Sequence, residues 1–109
     1  MTVNTALETL VQGVLEIYGD LVERIVLYGS TARGTETNES DVDVALLLRA
    51  APSRRMNDRL LDLLVDLELD CGRALSVVKI DYPRYLEWQS TLPFYKSIER
   101  EGVVLWQAA

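Results

Sequence analysis

Apolar residues recur every three or four positions through Val3, Ala6, Leu7, Leu10, Val11, Val14, Leu15 and Tyr18, the repeat that lays one stripe along one face of a helix. Thr5 and Glu8 have the spacing of a capping box, which would start that helix late. After Gly19 and Asp20 the period shortens. "LVERIVLYG" has the β-branched and aromatic density of a strand of roughly five residues, and a second strand is expected from near Asp41. Between them the sequence predicts a helical turn over Ser30 to Arg33 and a polar surface loop, "GTETNES". Pro52 and Ser53 open the longest helix, with Met56, Leu60, Leu61, Leu63, Leu64, Leu67 and Cys71 at helical spacing before Gly72 stops it. "ALSVVKI" reads as a third strand. Pro83, a short helix around Tyr85 to Trp88, a helix from Pro93 to Glu101 ended by Gly102, and an edge strand in "VVLW" complete the chain.

This order of elements predicts an α/β (α+β) core of two or three layers in a single domain spanning residues 1–109. Length and composition agree: 109 residues, 49% hydrophobic and 26% charged, are the proportions of one ordinary soluble globule. No apolar run approaches the roughly 18 residues of a membrane span, and the first ten residues lack the basic-then-apolar order of a secretory signal, so a cytoplasmic protein without a membrane association is expected. The one cysteine, Cys71, has no internal disulfide partner and reads as a buried or half-buried apolar thiol.

The chain has no histidine. That excludes Ser-His-Asp and Cys-His nucleophilic sites and leaves catalysis to carboxylates, Lys, Arg, Tyr or a metal ion. A net charge of −6 repels a phosphate backbone, so non-specific nucleic-acid binding is not expected. The arginines at 49, 54, 55 and 59, interleaved with Asp58, read as a solvated helix start.

The chemistry concentrates in "LYGSTARGTETNESDVDVALLL". On a strand, Asp41 and Asp43 face one way and Val42, Val44, Leu46 and Leu48 the other. Two carboxylates whose Cα atoms are about 6 to 7 Å apart repel each other unless a cation lies between them, and their hard oxygens suit Mg²⁺ or Mn²⁺. Gly29 and Ser30 fall where a strand gives way to a helical turn, a place where free backbone N–H groups can cradle a phosphate, and Arg33 follows one turn on. A triphosphate held between that turn and the acidic strand would be placed for nucleotidyl transfer. Taken singly, each motif is more often a plain turn or a solvated loop exit. Their combination, with Arg33 and Gly34 between them on what reads as a βαβ-like unit, points to a nucleotide site.

"GSTARGTETNESDVD" resembles the signature of the nucleotidyltransferase superfamily that includes DNA polymerase β: Gly-Ser, ten residues, Asp-x-Asp. The small size and the ending "LPFYKSIEREGVVLW" are similar, more narrowly, to the minimal nucleotidyltransferase (MNT) proteins that act as antitoxins of HEPN-domain ribonucleases. The resemblance implies a small mixed sheet flanked by helices, two Mg²⁺ ions on Asp41 and Asp43, and an ATP triphosphate on Gly29 and Ser30. In the antitoxin branch it also implies AMP transfer to a tyrosine of the HEPN toxin, which would be the chain's partner. A third carboxylate usually completes such sites from the next strand. Here that position falls at Ser76, and the nearest carboxylate, Asp81, is the remaining candidate for a metal ligand. Without a third acid, a binding module that inhibits its partner by occlusion becomes the alternative. Transfer to a small molecule such as an aminoglycoside is weaker still, because no second domain is available to form that pocket. The aromatics Tyr82, Tyr85, Trp88, Phe94 and Tyr95 read either as packing for a core or partner or as a nucleobase platform.

Overall fold

The computed structural model describes residues 1–34 and 41–109. The first helix, α1, is Val3–Tyr18, and it starts before Thr5: the N-cap is Thr2, whose Oγ1 accepts the Thr5 N–H at 3.1 Å. A hydroxyl at Thr2 satisfies a free first-turn donor earlier than the expected capping box would have done. A 3₁₀ turn, Gly19–Leu21, leads into β1, Val22–Tyr28. Next come α2, Gly29–Arg33, and β2, Val42–Leu48. The polar loop expected between them lies, from residue 35 to 40, outside the described residues.

Helix α3, Arg54–Cys71, is capped by Ser53, whose Oγ accepts the Met56 N–H at 3.2 Å, and stops at Gly72. Leu60 and Leu67, seven residues apart, set its buried direction. Leu61, one step of about 100° around the helix, is thereby turned outward, 61% exposed, and is not part of the core that the sequence pattern assigned it to. Strand β3 is Leu75–Asp81, α4 is Tyr82–Trp88, α5 is Pro93–Glu101 and β4 is Val103–Gln107. Helix α4 begins three residues earlier than Tyr85, because the Asp81 carboxylate caps it and Pro83 fits its first turn.

The four strands form one mixed sheet in the order β3-β2-β1-β4. Strand β1 is antiparallel to both β2 and β4, while β2 and β3 are parallel and joined by the α3 crossover. The β1–α2–β2 unit is thus antiparallel, and the βαβ-like reading is corrected. The five residues of α2 advance only about 7.5 Å, a fraction of a seven-residue strand, and the chain re-enters the sheet at the end where it left.

Both faces of the sheet are covered, giving three layers. On one face Ile25, Leu27, Val42, Val44, Leu46 and Leu48 pack under α1 and α3. On the other, Val26, Ala45, Leu47 and Ile80 pack under Tyr85 of α4 and Ile98 of α5. This explains why the β2 sequence "VALLL" is apolar at every position: a strand buried on both faces loses the alternation of a half-exposed one. Each of its leucines contributes about 1.5–3 kcal/mol by burial.

A polar contact fixes the thinner helical layer. The Tyr85 hydroxyl, on a fully buried ring, donates to Glu99 of α5, and Arg24 of β1 donates to the same carboxylate oxygen at 3.0 Å. Burial and the Glu99 carboxylate push the Tyr85 hydroxyl well above its ordinary pKa. The Tyr85 hydrogen bond holds the Glu99 carboxyl below its ordinary value near 4.5, with the Arg24 hydrogen bond and charge helping and desolvation opposing. A depressed folded-state pKa stabilises the fold above the unfolded value, and this contribution is lost as pH falls through the folded one. We predict that Glu99→Gln flattens the acid limb of the stability curve below about pH 4.5. Urea melts of both proteins from pH 7 to 3 check it, and parallel curves over that range would contradict it.

Candidate active site

The antiparallel register sets Tyr28 opposite Asp43, so Gly29, the next residue along, stands beside the Asp43 carboxylate. The approach is close: a Cβ built on Gly29 would lie 2.5 Å from Asp43 Oδ2. Gly29 also holds φ +74°, in the left-handed region that favours glycine. Residue 29 is thus constrained twice, by its own backbone and by the acid across the ladder. Ser30 follows it in the first turn of α2, whose leading N–H groups have no intrahelical acceptor.

Asp41 is exposed just before β2 begins, and Asp43 is half-buried on the strand's α4/α5 face, two residues ahead of Ala45. Burial, and secondly the negative charge of Asp41, raise the Asp43 carboxyl pKa above its ordinary value. The Tyr28 hydroxyl is raised as well, by burial first and by Asp43 second. The structure thus brings Gly29, Ser30, Asp41 and Asp43 to one end of the sheet. A pair of hard carboxylate oxygens whose charges repel, one of them set directly against the bare backbone of Gly29, fits a divalent cation of the Mg²⁺ class, other positions being filled by water and substrate phosphate.

Arg33 projects from the last turn of α2, and its Nη1 lies 3.4 Å from Glu101 Oε2 at the end of α5. It is about half exposed, so this pair is weak and the guanidinium is available to an anion.

Asp81 is not part of this cluster. Parallel pairing sets Ser76 beside Asp43 and Asp81 beside Leu48, at the other end of β2. Five residues along a strand put it about 16 Å away, and its Oδ2 accepts the Arg84 N–H at 3.2 Å. Asp81 is the N-cap of α4, and the metal-ligand expectation for it is corrected on that geometry. The neighbour of Asp43 on β3 is the hydroxyl of Ser76. Among the described residues no group of three or more Asp, Glu, Cys or His side chains is placed to hold a metal ion.

Sequence reasoning missed Tyr28, whose place opposite Asp43 depends on a register that the linear pattern does not encode. It also missed the approach of α5. The Phe94 ring meets Tyr28 edge-on at 5.4 Å, and ring contacts continue from Phe94 to Tyr95 to Tyr85 at 6.0 and 5.2 Å. Tyr85 is core, whereas Phe94 is 40% exposed and Trp88 39%.

A three-layer domain with a glycine turn set against an acidic strand start has the architecture of a nucleotide-handling fold. The chain belongs to the nucleotidyltransferase domain family, whose model matches residues 7–105. It is similar to two Methanocaldococcus jannaschii proteins named as candidate protein adenylyltransferases. One is 32% identical over 92 residues, covering 83% of this chain and 62% of that protein. The other is 38% identical over 45 residues, 41% of this chain and 46% of that protein. The chain thus spans less than two thirds of the length of these curated relatives. Among solved structures, a toxin–antitoxin complex with AMP-PNP has a chain that superposes with a TM-score of 0.59 at 18% identity, covering 93% of this chain and 73% of that one. A complex of the tri-AMPylated Shewanella oneidensis HEPN toxin with its MNT antitoxin gives 0.53 at 15% identity, covering 94% and 73%. These likenesses establish the fold. No helix among the described residues is long and apolar enough to cross a membrane.

Proposed function

We propose that this chain is a Mg²⁺-dependent adenylyltransferase that moves AMP from ATP to a tyrosine of a HEPN ribonuclease and so silences that toxin. The carrying observation is the approach of Gly29 to Asp43, which makes a phosphate turn and an acidic pair neighbours in space. The relatives support the reading by their names and by the adenylylated toxin seen with one of them. In the transfer, the tyrosine oxygen forms a bond to the α-phosphorus as the bond to the bridging oxygen breaks. Pyrophosphate leaves, and the phenolic proton passes to solvent. Asp41 and Asp43 would hold the cations, which when bound offset phosphate charge and polarise the reacting oxygens. Gly29 and Ser30 hold the outer phosphates through backbone N–H and hydroxyl donors, and Arg33 adds positive charge from the same turn.

A second reading, inhibition by occlusion without transfer, is favoured by one observation: Ser76 stands beside Asp43, and no described carboxylate takes a third place there. The two readings are separated by incubating the protein with α-labelled ATP, Mg²⁺ and a HEPN partner. Label on a partner tyrosine, absent in EDTA and in an Asp41→Ala, Asp43→Ala double variant, supports the enzyme. Full inhibition of the ribonuclease with no label on any residue would leave occlusion.

A further inference from the structure

Helix α5 touches residues flanking the site near both of its ends. Near its C-terminus Glu101 meets Arg33 of the phosphate turn, and near its N-terminus Phe94 meets Tyr28, the residue opposite Asp43. From Phe94 to Glu101 a helix advances about 10 Å, which is on the scale of a nucleotide laid out from its outer phosphates to its base. Asp43 adjoins the Phe94–Tyr28 contact, because the ladder sets it opposite Tyr28, and the phosphate turn runs from Gly29, next to Tyr28 in sequence, to Arg33 at the Glu101 contact.

Phe94 is also the ring of this row that the fold does not use up. Tyr85 is fully buried and Tyr95 half-buried, whereas Phe94 is 40% exposed yet braced by rings on two sides, Tyr28 and Tyr95. An exposed phenylalanine held in place by other rings has an apolar surface waiting for a flat partner at little further loss of side-chain freedom.

We propose that Phe94 is the stacking platform for the nucleobase, and that it favours purine over pyrimidine triphosphates because the larger ring system covers more of it. This rests on the nucleotide-site reading above. Stacking carries little hydrogen-bond information, so Phe94 selects ring size and leaves the choice between adenine and guanine to other groups.

Calorimetric titration in Mg²⁺ with three probes tests the platform: a non-hydrolysable ATP analogue, the matching CTP analogue, and inorganic tripolyphosphate. Phe94→Ala should weaken the ATP analogue about tenfold, erase its advantage over the CTP analogue, and leave tripolyphosphate unchanged. Phe94→Trp should restore the purine advantage. Unchanged affinity for the ATP analogue in Phe94→Ala overturns the platform. So does an equal loss for tripolyphosphate, which would make the ring a support for the phosphate turn. If the wild-type protein binds none of the three probes, the nucleotide-site reading fails first and the platform with it.

Discussion

Asp43→Asn should abolish AMP transfer and at the same time leave the fold slightly more stable. The two effects have one origin. The Asp43 carboxylate is partly desolvated and lies in the field of Asp41, and both conditions oppose its charge in the free protein. An amide of the same shape removes that penalty, by a few tenths of a kcal/mol for a group this accessible. On the adenylyltransferase proposal the same change would remove an anionic ligand for cations that would supply several kcal/mol of transition-state stabilisation, so transfer should fall by at least about 10²–10³-fold. Labelled-ATP assays and urea midpoints of the two proteins provide the check. Full transfer by the variant would remove Asp43 from the chemistry, and a marked loss of stability would show that its charge is satisfied by the fold.

Gly29→Ala should damage both stability and binding, through two separable costs. The left-handed backbone conformation costs an alanine about 1–2 kcal/mol, a drop of very roughly 5–10 °C in Tm for a domain of this size. The new Cβ would also lie 2.5 Å from Asp43 Oδ2, so the carboxylate must move. Gly72 supplies the control: its φ is +70°, and a Cβ there meets nothing within 4 Å. Gly72→Ala should therefore show a comparable fall in Tm with nucleotide binding intact, while Gly29→Ala loses binding as well. Thermal melts and Mg²⁺-dependent binding of an ATP analogue on both variants check this. Equal binding by the two would mean that the approach of residue 29 to Asp43 has no functional weight.

The elements were legible in the sequence wherever a single periodicity ruled. Helices α1 and α3 have amphipathic stripes and clear stop glycines, and their bounds fall close to the expected ones. Strand β2 was legible as a strand starting near Asp41, though its burial on both faces was not. The direction of pairing was not, because a hydrophobic pattern records which faces are buried and not which way the neighbouring strand runs. For the same reason Gly29, Ser30, Asp41 and Asp43 could be picked out by type and spacing, whereas Tyr28 and Glu101 could not: they reach the site through register and helix placement. Asp81 shows the reverse case. As a residue type it suits a metal, but Pro83 two residues on and a free N–H at Arg84 make its position that of a helix cap. Leu61 likewise has the right chemistry for a core and the wrong angle around its helix.

One consequence follows from the antiparallel pairing of β1 with β2. Ser30 and Asp41 are separated by ten residues, and that count is what makes the signature recognisable in a string of letters. The nearness of Gly29 to Asp43, however, is set by the hydrogen-bonded ladder that places Tyr28 across from Asp43. The ladder would hold the same two residues together whatever route the chain takes between them. The spacing is a label by which the site is found, and the sheet is what builds it.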